Sequence, residues 1–126
     1  MVVEDQFKNY CIIKTFGLKR SDIAPYLRTG NVSVDYSEEC LDGTIRVLNN
    51  DAEETEFQET LDVIKRAFKD RIYSDCDSSL AKKLVDTCRE NGIRLIVEES
   101  ITGGMICSSL VDIPGASEVL TEGLVT

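Results

Sequence analysis

Residues 93–104, IRLIVEESITGG, run an apolar stretch straight into two carboxylates and a Ser-Ile-Thr-Gly-Gly turn. Ile93 to Val97, interrupted only by Arg94, is too apolar for a surface strand and suits the interior of a parallel sheet. Ligand sites of α/β sheets lie beyond the carboxyl ends of their strands, and Glu98, Glu99 and Ser100 occupy that position. Thr102 is expected to N-cap a helix running to about Val111, while Gly103 and Gly104 carry no side chain to keep a ligand from the first-turn amides. Such amides suit a phosphate or the oxyanion of a tetrahedral intermediate, with Ser100 beside them where a nucleophile is wanted. Spacing alone leaves a second reading open, in which Ser100 and Thr102 only cap a helix and the glycines permit close helix–strand packing. The S-x-T-G-G run lacks the flanks of a Walker loop or a G-x-S-x-G elbow.

Working upstream, Leu80, Leu84 and Cys88, with Ala81 and Val85 beside them, form a helical stripe that Gly92 stops. The polar run Ser74 to Ser79, SDCDSS, is rich in capping residues and marks a domain boundary. Before it, Tyr10 to Phe16 reads as a strand, and Ser21 as the cap of a short helix through Tyr26 and Leu27. Val32 to Tyr36 and Thr44 to Leu48 alternate as strands, with a hairpin loop over Ser37 to Gly43. Phe57, Leu61, Ile64 and Phe68 then line one helical face. The expected fold is an α+β unit (β-α-β-β-α) over residues 1–75, followed by an incomplete α/β segment (helix-strand-helix-strand) over residues 76–126.

Composition narrows the function classes. At 126 residues, 42% apolar and 29% charged, the chain is an ordinary soluble globular protein without a run long enough to span a membrane. Its start, with Glu4, Asp5 and Lys8, does not resemble a secretory leader, so a cytoplasmic location is expected. The net charge of −9 and the scattered basic residues argue against nucleic acid as a partner. Five dispersed cysteines without a C-x-x-C pair, and no histidine, offer no zinc site; reduced thiols are expected, and no metal or cofactor. Acid–base chemistry falls to Lys, Asp, Glu or Tyr.

The run EESITGG (98–104), with CSSLVDIPGASEVL (107–120) and EGLVT (122–126), resembles the start of the C-terminal domain of the CinA family. Glu99, Ser100, Thr102, Gly103, Gly104, Asp112, Pro114, Gly115, Ala116, Ser117 and Gly123 stand at matching positions. Residues 10–73 are similar in pattern to that family's KH-like middle domain. The resemblance implies a hydrolase that converts nicotinamide mononucleotide to nicotinate mononucleotide and ammonia in pyridine-nucleotide salvage. It implies Ser100 as nucleophile, Thr102, Gly103 and Gly104 around the oxyanion or phosphate, and Glu99 shaping the site. The implied base is a lysine shortly after the segment matched by EGLVT, so the chain is expected to be truncated and inactive alone. Glu98 and Glu122 depart from the family pattern, each adding a carboxylate where a nucleotide would approach. The alternative is a non-catalytic interaction or remnant protein that oligomerises through its incomplete sheet, as a homo-oligomer or with a complementing chain. RNA binding by the KH-like unit is disfavoured, because no basic or G-x-x-G loop lies between Tyr10 and Tyr73.

Overall fold

Period-two alternation sends Ile13 and Thr15 of the first strand inward, each fully buried, and leaves Phe16 half exposed at its end. The computed structural model describes residues 9–126 and divides into two units between Asp77 and Ser78. The start read above as unlike a secretory leader lies, up to Lys8, outside the described residues. In the first unit β1 (Tyr10–Phe16) leads to α1 (Arg20–Ile23), a 3₁₀ turn (Ala24–Tyr26), β2 (Val32–Glu39), β3 (Asp42–Asn49), α2 (Glu54–Ala67) and β4 (Ile72–Ser74). The sheet is antiparallel with order β2-β3-β1-β4. A β-α-β-β-α-β chain with β1 inserted between β3 and β4 is the split β-α-β arrangement.

The strand β4 is the element that the β-α-β-β-α expectation left out. Three residues among polar neighbours carry no readable alternation; what recruits them is the open side of β1, where Phe16 N–H donates to Arg71 O at 2.9 Å. The expected face of α2 is present, with Phe57, Leu61 and Ile64 buried, and Phe68 buried just past the last turn. Burying four such side chains contributes about 6–12 kcal/mol before chain entropy is subtracted. They pack with Ile13, Ile23, Val34, Ile45 and Val47 in one core.

Two turn expectations are corrected. Ser21 does not cap α1; it lies inside the helix, which begins one residue earlier, and Asp22 Oδ2 accepts from Lys19 N–H at 3.2 Å. The hairpin has no loop over Ser37 to Gly43, because the β2–β3 ladder continues to Glu39 opposite Asp42. Only Cys40 and Leu41 turn, at φ of +50° and +72°, the two-residue geometry whose twist matches the flanking strands. Gly43 is a packing residue of β3. A Cβ there would stand 2.6 Å from the Tyr36 hydroxyl, which is itself fixed by donating to Leu18 O at 2.7 Å.

The second unit runs α3 (Leu80–Glu90), β5 (Leu95–Glu99), α4 (Met105–Val111), a 3₁₀ turn (Ala116–Glu118) and β6 (Leu120–Val125), the expected helix-strand-helix-strand. Ser79 caps α3 by accepting from Lys82 N–H at 3.1 Å. The buried stripe of α3 is centred on Val85 and Cys88 with Ala81, whereas Leu80 and Leu84 stay 42% and 41% exposed, a shift of one position from the expected stripe. The strands β5 and β6 pair in parallel and form a sheet of two. The expectation of a sheet-interior strand is overturned, since Ile96 is 67% exposed and only Leu95, Val97 and Glu99 face the packed side. Among the described residues no helix is long and apolar enough to cross a membrane.

All four tyrosines lie in the first unit and the chain has no tryptophan, so tyrosine fluorescence during urea unfolding reports on that unit. Gly43→Ala is expected to lower its stability by about 1–3 kcal/mol through the clash with Tyr36. Leu41→Gly, two residues away, is expected to raise it by about 0.5–1 kcal/mol by relieving a left-handed residue. Equal effects of the two substitutions would contradict these assignments.

Candidate active site

The alternation that governs β5 decides what reaches the strand's carboxyl end. Leu95, Val97 and Glu99 share one face, and Ile96 and Glu98 the other, so one of two adjacent glutamates is buried and its neighbour is exposed. Glu99, 4% exposed, delivers its carboxylate to the start of α4. There Oε1 accepts from the Thr102 hydroxyl at 2.8 Å and from Ile106 N–H at 2.7 Å, and Oε2 accepts from Cys107 N–H at 3.0 Å. Burial pushes the Glu99 carboxyl up, but these amide and hydroxyl bonds, joined by the Cys107 thiol, outweigh it and bring the pKa down to about 2. The same contact, together with burial, pushes the Cys107 thiol up.

The expected cap is therefore corrected. Thr102 does not cap the helix; it orients the carboxylate that does. Gly104 is the N-cap residue, at φ +102°, a conformation that L side chains rarely adopt, and it makes no side-chain cap bond. The first-turn amides expected to await an anion are in part already filled, because Ile106 and Cys107 donate to Glu99. Among the described residues Gly104 N–H and Met105 N–H have no hydrogen-bond acceptor. Sequence reasoning missed the capping role of Glu99, although the parity of β5 that separates Glu99 from Glu98 was there to be read.

Ser100 sits in the bend after β5 and is exposed. Its carbonyl accepts from Gly103 N–H at 3.2 Å, which closes the turn. Among the described residues no side chain is hydrogen-bonded to its hydroxyl. Ser100, Thr102, Gly103 and Gly104 thus share one turn with Glu99 behind it. The strand β6 comes close from the side: a Cβ on Gly123 would lie 2.5 Å from Cys107 Sγ, and Thr126 N–H donates to Glu99 O at 2.8 Å. Glu98 and Glu122 are both exposed. Lys82 is engaged by Asp86 one turn along α3, and residues 84–126 contain no lysine. No group of three His, Cys, Asp or Glu side chains able to hold a metal occurs among the described residues.

Residues 77–126 match the CinA C-terminal domain family. A Bacillus velezensis protein bearing the competence-damage inducible name is 35% identical over 86 residues, which is 65% of this chain and 21% of that protein. A CinA-like protein of Dictyoglomus turgidum is 31% identical over 103 residues, 82% of this chain and 23% of its own length. A CinA-like protein of a Shewanella species is 41% identical over 63 residues, half of this chain and 15% of that protein. The matched segments thus span less than a quarter of the relatives.

The Glu99 cap carries a pH signature. With a folded pKa of about 2 against the ordinary 4.5, its contribution to the second unit is complete above pH 4.5 and is lost as pH falls through about 2. The side-chain carboxyl carbon of Glu99, followed by NMR, is expected to titrate near 2, and amide protection at Ile106 and Cys107 to fall over the same range. Glu99→Gln is expected to weaken that protection already at neutral pH and to abolish its acid dependence. A carboxyl midpoint near 4.5 would disprove the cap.

Proposed function

From the premise that this chain belongs to the CinA family through residues 77–126, we propose that its second unit carries part of a serine amidase site acting on a nicotinamide nucleotide. The observation that carries the reading is Ser100, exposed at the carboxyl end of β5 with a hydroxyl free to attack and a turn held in place by Glu99. In the reaction, Ser100 Oγ adds to the carboxamide carbon of nicotinamide mononucleotide as a base removes its proton. The oxyanion takes hydrogen bonds from backbone N–H groups left free at this turn, such as that of Gly104, since Gly103 N–H is engaged by Ser100 O. Collapse of the intermediate breaks the C–N bond, ammonia leaves with the proton, and water hydrolyses the ester to nicotinate mononucleotide and free Ser100.

Glu99, the carboxylate next to Ser100 in the chain, spends its oxygens on Thr102, Ile106 and Cys107. Glu99 holds too low a pKa to act as base, and the resemblance assigns that role to a lysine. Chemical rescue tests the assignment. Nicotinate mononucleotide formation by this chain is expected to rise with added propylamine, whose neutral form stands in for an unprotonated lysine amine. Ser100→Ala is expected to lower the rescued rate at least tenfold, and Cys107→Ser to leave Ser100 chemistry in place. Equal product formation by the Ser100→Ala chain would sink the proposal.

A second reading is favoured by the apolar surface of the same unit, where Ile96, Ile101, Met105 and Val125 are 67%, 99%, 69% and 56% exposed. It takes the unit as an assembly element that covers its two-stranded sheet by pairing with another chain. Sedimentation velocity at rising protein concentration is expected to show association on this reading, weakened by Ile96→Lys. A monomer at all concentrations would remove it.

A further inference from the structure

In the first unit a cavity of about 400 Å³ lies between β1 and α2, with Ile12, Phe57 and Leu61 in its wall and two cysteines, Cys11 and Cys76, also lining it. The backbone explains why both arrive there. Cys11 lies on the same strand face as the fully buried Ile13 and Thr15, turned toward the helix. Ser74, which ends β4 opposite Lys14, is buried, and the chain then folds back on it. Cys76 N–H donates to Ser74 Oγ at 3.2 Å, and Cys76 Sγ stands 3.2 Å from the same oxygen. That turn carries the Cys76 thiol to the cavity that Cys11 enters from the strand.

We propose that Cys11 and Cys76 are a redox pair that closes to a disulfide when a low-molecular-weight disulfide is the oxidant. Cys76 is exposed and Cys11 only half-buried, so Cys76 reacts first. Its thiolate attacks one sulfur of the small disulfide, forming a mixed disulfide and expelling one thiolate. Cys11 then gives its proton to solvent and attacks Cys76 Sγ, expelling the second small thiolate. Two protein thiols become one S–S bond while one small disulfide becomes two thiols, so no other oxidant is required. Burial, opposed by Lys65 and reinforced by Asp75 and Cys76, pushes the Cys11 thiol up, which makes the closing step faster as pH rises. The bond would tie the residues after β4 to β1 and close a loop containing β2, β3 and α2.

The test is to treat the whole chain with oxidised glutathione, block free thiols with iodoacetamide in denaturant, digest with trypsin and read disulfide-linked peptides by mass. The expected product joins the peptide 9–14 (NYCIIK) to the peptide 72–82 (IYSDCDSSLAK), and oxidation raises the tyrosine-detected melting midpoint by about 5 °C or more. Cys11→Ser is expected to stop at a glutathione adduct on Cys76, and Cys76→Ala to give neither the link nor the rise in midpoint. Because Cys76 is exposed, its variant should fold as the parent does, which the reduced-state melt verifies. Cys76 left as an adduct in the parent while Cys11 is alkylated, or either thiol linked to Cys40, Cys88 or Cys107, would overturn the pair. So would failure of both to react.

Discussion

The second unit depends on one buried carboxylate. A helix of seven residues beginning at a left-handed glycine has little to hold its first turn, since Gly104 has no side chain with which to cap. Glu99 supplies the missing acceptor from outside the helix. By taking Ile106 N–H and Cys107 N–H it fixes where α4 starts, and by taking the Thr102 hydroxyl it fixes the turn between strand and helix. The cost of burying an ionised group is met by those donors, as the fall of its pKa to about 2 records. Ser100 is exposed as a consequence: the residue before it is turned inward by strand parity, and the chain must reverse immediately afterwards.

The first unit is held by different physics. Its helices, sheet and core are joined by apolar packing, and a tight constraint lies where β3 passes under Tyr36. Gly43 leaves room for that ring, and the ring's hydroxyl spans to Leu18 O, tying the loop after β1 to the β2–β3 hairpin. On the opposite sheet face the charged groups pair locally. Lys14 Nζ meets Thr44 Oγ1 at 2.8 Å and Asp42 Oδ1 at 3.6 Å, and Asp42 also accepts from the Tyr73 hydroxyl at 2.6 Å. Burial and that carboxylate push the Tyr73 phenol well up, so it remains a donor at any physiological pH. Short β4 is thereby anchored by a side chain as well as by its few ladder bonds.

Legibility in the sequence followed the length of each pattern. The face of α2 was readable because four apolar residues repeat over three turns, and the helix-strand-helix-strand order because Gly92 and the Gly103-Gly104 pair punctuate it. Cys40 and Leu41 carry no turn signature, and the nearby Asp42-Gly43 pair does, so local chemistry pointed to the wrong residues. The three residues of β4 have no periodicity at all. For Ile93 to Val97 apolarity was read as two-sided burial, when a sheet of two strands buries one side. The S-x-T-G-G motif singled out Ser100 and its turn, but a motif names residues without saying which way they face. Strand parity supplies that direction.

That direction constrains the chemistry. If the amides at the start of α4 were empty, they would draw the phosphate of a nucleotide; with Glu99 lodged among them, the positive end of the helix is already answered by a full negative charge. Anion binding at this turn therefore cannot rest on the Ile106 and Cys107 amides, and only the N–H groups nearer the bend remain to meet an oxyanion. Nor can Glu99 accept the Ser100 proton. A carboxylate with a pKa of about 2 is about five units too weak a base for work near neutral pH, and its oxygens are committed to other donors. Cys107, its own thiol pushed up by contact with Glu99, is no better placed. The conspicuous acid beside the serine is thus a structural member of the turn, and in the proposed reaction a group other than Glu99 and Cys107 takes the Ser100 proton.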